Sequence, residues 1–248
     1  MNIFEKIIPT LPEGQVISVN IGLFWTAVMV ECKGVCRCGL AATLSNPEFE
    51  HARLPAVEEA GRIEQHSGLD LANWVFSKSY TEVSVGLATI NALLPLIENP
   101  RNLAAEDYIA HQGADSQVAL IGHFPFVSSL KDQVKKLWVL ELNPKDDDLP
   151  ASAAPEIIPQ ADILAITATT LINHTFDGIL TLRKPGAKVL LLGPSTPLSP
   201  VLFEYGIDVL SGSIVENPEL VLPLVRQGAT FRQIRNNGVR LVTIEASS

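Results

Sequence analysis

No stretch of the chain approaches the ~18 uninterrupted apolar residues that a membrane-spanning helix needs, so none is expected. Cysteine is scarce: Cys32, Cys36 and Cys38 are the only ones in 248 residues. An odd, closely spaced set argues against a disulfide framework and fits a reducing, cytoplasmic setting. Residues 2–10 lack the basic start and cleavage site of a signal peptide. Basic residues are outnumbered, 18 against 27 acidic, leaving a net charge of −9 and a pI near 5.0. A nucleic-acid or anionic-membrane binder needs a basic face, so both partner classes are disfavoured. A local anion site built from backbone amides stays open. There is no G-x-S-x-G elbow, no H-E-x-x-H and no kinase signature. Internal repeats and low-complexity segments are missing as well.

What is present is apolar. Hydrophobic residues make up 47 %, charged residues 18 %, and mean hydropathy is +0.24. That composition describes a compact chain, long enough for one large domain or two modest ones.

Residues 1–98 read as α+β. A short helix over 3–8 precedes a strand over 15–20. Strands over 25–31 and 35–40 flank Lys33-Gly34 as a hairpin. A polar loop over 46–55 leads to a helix over 69–77, with Leu71, Trp74 and Val75 on one face. Ser79 and Glu82 have the spacing of a capping box, opening a helix that runs to about 97. That helix is nearly free of charge. It belongs between layers or at a subunit interface, which leaves a homo-oligomer open.

Composition shifts at 98–102, and the boundary is placed at 98/99. From there, after a helix over 104–111, strands and helices alternate as in a doubly wound, mostly parallel sheet of five or six strands. Strands are expected over 118–121, 137–140, 162–167, 188–192, 207–210 and 240–244. Helices are expected over 170–183, from Ser199-Pro200 to Gly206, and over 218–226.

Ligands of such sheets sit outside the carboxyl ends of the strands. The first such end carries Gly122-His123-Phe124-Pro125, with a single glycine where a dinucleotide fingerprint has three, so NAD binding is disfavoured. His123 is a candidate acid, base or metal ligand, because histidine is the residue type whose unperturbed pKa lies near neutrality. Glu141 lies nineteen positions beyond Gly122, the spacing of an acid that accepts hydrogen bonds from a ribose or another diol. Thr167, Thr170 and Asn173 cluster at a third strand end. At a fourth, Gly193-Pro194-Ser195-Thr196 is a turn whose hydroxyls and amides suit a carboxylate, a phosphate or a polar ring; it lacks the lysine of a P-loop. His174 reads as a surface or supporting residue. The cysteines lack the second pair of a zinc site and read as small buried hydrophobes. Asp146-Asp147-Asp148 lacks the glycine and glutamate of a calcium loop and reads as solvated.

Taken together, residues 86–93, Gly122-His123-Phe124-Pro125, Thr167 with residues 170–175, and residues 193–197 resemble the heavy-metal chelation domain family over nearly the whole chain. The resemblance implies an enolase-N-terminal-like domain followed by a Rossmann-like, methyltransferase-like domain. A cleft built from both would bring Asn91 toward His123, Glu141, Thr170, Asn173 and Ser195. It also implies chemistry on small metal-chelating compounds of pterin, flavin or siderophore type. The leading expectation is an enzyme, or a ligand-binding relative of one, with His123 moving protons and Glu141 orienting a hydroxyl or ring nitrogen. The alternatives are a non-catalytic binder of a divalent metal or metal–chelate, and a methyltransferase-like protein that holds S-adenosylmethionine.

Overall fold

The computed structural model describes residues 2–46, 55–97 and 100–246. Most of the polar loop expected over 46–55, and the boundary at 98/99, lie outside the described residues. The chain is α/β, with a three-stranded antiparallel sheet followed by a seven-stranded, mostly parallel one. Among the described residues no helix is long and apolar enough to cross a membrane.

The first sheet runs in the order β1 (Gln15–Ile21), β2 (Trp25–Cys32), β3 (Val35–Ala42). Lys33 and Gly34 carry positive φ angles of 52° and 77°. Positive φ at both central residues is what a two-residue hairpin turn matched to the strand twist requires. One face, with Val28, Val30 and Ala41, packs on helix Tyr80–Leu93. The other, with Ala27, Cys38 and Leu40, lies under helices Pro218–Arg226 and Phe231–Arg235. The cysteines therefore divide. Cys32 and Cys38 are buried on opposite faces, and Cys36 is exposed near the hairpin turn. Burial raises the Cys32 thiol and pushes the Cys38 thiol up to about 12. Alkylation of the native protein should therefore add one label, at Cys36, with the other two reacting only after denaturation. Peptide mass spectrometry reads this directly, and two or three labels on folded protein would contradict the packing.

Helix Tyr80–Leu93 starts where the sequence predicts, with Ser79 accepting from the Glu82 N–H. The capping box is only half formed. Glu82 turns its carboxylate to the Ser77 hydroxyl (2.5 Å) and the Glu58 N–H (3.0 Å) instead. The helix stops at Leu93 rather than 97, because Pro95 holds Leu94 extended at ψ 135°. Reciprocal capping boxes form instead at Ser67 and Asp70, ahead of helix Gly68–Ala72, and at Thr230 and Gln233, ahead of helix Phe231–Arg235. After Ala72 the chain continues as a 3-10 turn, Asn73–Phe76.

The second sheet holds β4 (Gln117–Ile121), β5 (Lys136–Glu141), β6 (Leu149–Pro150), β7 (Ile163–Thr167), β8 (Lys188–Leu192), β9 (Val209–Val215) and β10 (Val239–Glu245). Their spatial order is β10-β9-β8-β7-β4-β5-β6, and only β10 is antiparallel to its neighbour. The parallel part thus has the doubly wound order, reversing direction between β4 and β7. Alternate residues are buried on opposite faces. Leu120, Ala165 and Leu190 join one core, while Ile121, Ile166 and Leu191 join another that continues into helix Tyr80–Leu93. That helix, whose single charged residue Glu82 lies in its first turn, is an internal layer of this chain.

Two expected helices take other forms. The segment 170–183 is two short helices, Thr169–Ile172 and Phe176–Thr181, interrupted where His174 has φ 59°. The Asn173 carboxamide oxygen accepts from the Thr175 N–H (3.2 Å) and hydroxyl (2.7 Å), a local turn that competes with helix continuation. After Ser199, residues Pro200–Tyr205 form a 3-10 turn, and the Ser199 side chain makes no cap bond. Gly206 closes it at φ 74°, as a left-handed terminus needs.

Candidate functional site

A doubly wound sheet leaves a crevice where its strand order reverses, because the connections from the two central strands leave in opposite directions. Here that place is the carboxyl end of β4 and β7, and a cavity of about 630 Å³ opens there. His123, Phe124, Glu141, Thr167, Thr170 and Asn173 line it, with Gly122 at its floor. Gly122 has φ 98°, and a Cβ there would lie 3.0 Å from the Thr167 Cγ2. Only glycine lets the loop turn this tightly beside β7. Phe124 stacks on Phe126 with centroids 5.1 Å apart, presenting an apolar wall.

One polar pair is built with care. His123 Nδ1 lies 2.8 and 3.0 Å from the two carboxylate oxygens of Asp148, whose side chain is only 4 % exposed. The Lys145 backbone N–H donates to the same carboxylate at 3.2 Å, fixing it in place. With Nδ1–H donating to Asp148, a neutral His123 ring keeps its Nε2 lone pair for another partner. The acidic run is therefore not uniformly solvated: Asp147 pairs with Lys131 on the surface, while Asp148 is drawn inward. Nothing in the sequence singles out Asp148 from its two neighbours.

Burial, then the nearby Asp148 charge, raises the Glu141 carboxyl above its ordinary value, against a lowering from the Leu142 backbone N–H and from His123. A raised folded value means the folded state binds the proton more tightly than the unfolded chain. Glu141 thus weakens the fold as pH climbs from its ordinary value through the raised one. The side chain is still partly open to solvent, which limits the effect. Glu141→Gln should raise Tm at pH 7 by about a degree or two and leave it unchanged near pH 4. Melting curves at both pH values check the sign.

Four expected site residues lie elsewhere. Ser195 is buried, and its hydroxyl accepts the Ala42 N–H at 2.8 Å. Asn91 Nδ2 donates to the carbonyls of Leu40 (2.9 Å) and Ser195 (3.1 Å). Pro194 accepts from the Ser213 hydroxyl at 2.8 Å, and Gly193 closes the turn with its carbonyl on the Thr196 N–H. These polar groups knit β3, helix Tyr80–Leu93 and β8–β9 together. Their spacing at a strand end looked like a pocket because the sequence does not show that another unit packs onto them. Among the described residues, those lining the large cavity all fall between 121 and 182, so none of them comes from the first half of the chain. His174, read from sequence as a surface or supporting residue, is exposed; it lines the cavity and donates from Nε2 to the Ser77 carbonyl at 3.0 Å. A smaller groove of about 170 Å³ does lie between the halves and includes Asn91.

Residues 105–243 match a family model, DUF364, described as "Putative heavy-metal chelation", and residues 4–94 match DUF4213, which carries the same description. The chain belongs to this family. An uncharacterized protein of Methanocaldococcus jannaschii is 26 % identical over 85 % of this chain and 83 % of its own length. A crystal structure of a protein of unknown function from the same family, from Desulfitobacterium hafniense, is 26 % identical with a TM-score of 0.79. It covers 98 % of this chain and 97 % of its own. Another, from Pyrococcus horikoshii, shares the fold at 24 % identity with a TM-score of 0.82, covering 98 % of each chain.

The description of this heavy-metal chelation family raises the question of a metal held by the protein itself. A resident ion needs several converging donors. Among the described residues no three His, Cys, Asp or Glu side chains come together in that way. The thiols are split across two faces of a sheet. These side chains do not fit a protein-held metal centre.

Proposed function

We propose that the cavity at the β4–β7 crevice binds a small planar metal-chelating molecule of pterin, flavin or siderophore type and moves protons on it through His123. The observation that carries this reading is the His123–Asp148 pair at the rim of a largely apolar cavity of about 630 Å³. That volume falls within the ~300–1,000 Å³ of small-molecule sites, which combine apolar walls with a few placed polar groups. The Phe124 ring supplies a face for a flat ligand, and Thr167 and Glu141 supply polar ends. In a hydrolysis, His123 Nε2 takes a proton from the attacking water and returns it to the leaving group. Condensation runs the same transfers in reverse. Any metal then arrives coordinated by the ligand, as part of the cargo.

A second reading has one observation in its favour. Glu141 ends β5, next to β4 and nineteen positions after Gly122, where an acid can hold ribose hydroxyls of an S-adenosylmethionine-like molecule. A melting screen with pterins, flavins, catechols, S-adenosylmethionine and divalent metals separates the readings. A ligand at a hundred times its Kd stabilises by ~2.7 kcal/mol, or about 5–10 °C for a chain of this length. The first reading expects that response from a heterocycle or catechol. A response to S-adenosylmethionine alone selects the second, and no response at millimolar concentration from either group defeats both.

A further inference from the structure

Among the described residues, three buried side-chain polar atoms have no hydrogen-bond partner: Arg37 Nε, Asn91 Oδ1 and Thr196 Oγ1. All three residues line the smaller groove between the two halves of the chain, away from the His123 cavity. Buried polar atoms are almost always satisfied, so three orphans on residues that line one groove point to a place that receives polar groups.

The geometry also says which groups. Asn91 cannot turn its amide over, because Nδ2 is fixed between the carbonyls of Leu40 and Ser195. Its Oδ1 is therefore an acceptor in search of a donor. Arg37 is anchored by one bond, from Nη1 to the Leu94 carbonyl at 3.2 Å, and makes no ion pair among the described residues. The groove's own carboxylate, Glu216, is taken by Arg240 Nε at 2.6 Å. A guanidinium favours a carboxylate, which Arg holds in a planar fork. Thr196, 1 % exposed, brings a hydroxyl that either donates or accepts.

We infer that this interdomain groove is a second ligand site, for a small carboxylic acid carrying a hydroxyl or amino group beside its carboxylate. The carboxylate sits on Arg37 with Thr196 donating to it, and the neighbouring O–H or N–H donates to Asn91 Oδ1. The cavity of about 170 Å³ is below the ~300 Å³ of drug-sized pockets, which restricts the occupant to a small acid. The occupant touches Arg37 and Asn91 from one half and Thr196 from the other, so binding tightens the junction.

The test is calorimetric titration and thermal melting of the full chain with glycolate, lactate, glycine and serine, with acetate and inorganic phosphate as comparisons. At least one hydroxy or amino acid should bind and raise Tm, more strongly than acetate, which lacks the donor. Arg37→Gln and Thr196→Val should weaken binding about ten- to hundred-fold, the worth of a hydrogen bond to a charged group. Thr196→Ser, which keeps the hydroxyl, should restore it, and His123→Ala should leave it unchanged. The inference is overturned if no hydroxy or amino acid binds at tens of millimolar. It is equally overturned if phosphate or acetate binds best, or if folded Thr196→Val and Arg37→Gln proteins bind as wild type does. Loss of binding in His123→Ala would move the ligand to the other cavity and also reject it.

Discussion

His123→Ala should lower turnover of the cavity's substrate by about 10²–10⁴-fold, the usual contribution of a positioned proton-transfer group. The fold should survive. The side chain is 40 % exposed and its one side-chain bond is to Asp148, so Tm should shift little. Asp148→Asn is the sharper variant. The amide keeps the shape but can present an N–H to Nδ1, which favours the tautomer with the proton on the wrong nitrogen. Much of the His123→Ala loss should therefore appear in Asp148→Asn as a fall in kcat, with the pH profile altered and KM little changed. If both variants keep wild-type kcat on a substrate that the screen identifies, proton transfer at His123 is not part of the chemistry.

Gly39→Ala should cause one of the largest losses of stability available to a single added methyl group in this chain. A Cβ at Gly39 would run into the Ala88 carbonyl oxygen and the Ala92 nitrogen of helix Tyr80–Leu93. Both obstacles are backbone, and the helix is clamped between two layers, so neither can step aside. Overpacking of this kind costs about 3 kcal/mol or more, equal to a Tm loss of roughly 6–12 °C for a chain of this size. Ser195→Ala should cost less, about 1–3 kcal/mol, by orphaning the buried Ala42 N–H. Ligand binding in the His123 cavity should be unaffected by it, because Ser195 does not reach that cavity. A Gly39→Ala shift below ~2 °C would mean that β3 and the helix are not packed as described.

Most parallel strands were legible because they are short apolar runs ending in glycine or polar residues. β9 runs on to Val215, past the expected end at 210, and β6 forms within an expected loop, giving seven strands where five or six were expected. Lys188–Leu192 and the Gly122 and Glu141 strand ends fall where the pattern puts them. Helix interruptions were harder. Thr170, Leu171, Ile172 and Ile179 keep a helical rhythm, and only the Asn173–Thr175 side-chain turn, with His174 left-handed, breaks it. The candidate site divided along the same line. Gly122, His123, Phe124, Glu141, Thr167, Thr170 and Asn173 meet because they end adjacent strands, and strand adjacency follows from the alternation of elements. Asp148 was illegible, since three consecutive aspartates look alike until one of them is 2.8 Å from a histidine.

Local chemistry by itself settled the α/β class, most of the strand termini and the half of the pocket that those termini supply. These depend on periodicity and on glycine, hydroxyl and acid positions within a few residues of one another. Only the tertiary structure decided that Asn91 and Ser195 join the two halves instead of meeting a ligand in the His123 cavity, and that Cys32 and Cys38 lie on opposite faces. The physical reason is common to both: a side chain's role depends on what packs against it from distant parts of the chain, and long-range packing leaves no mark in the local pattern.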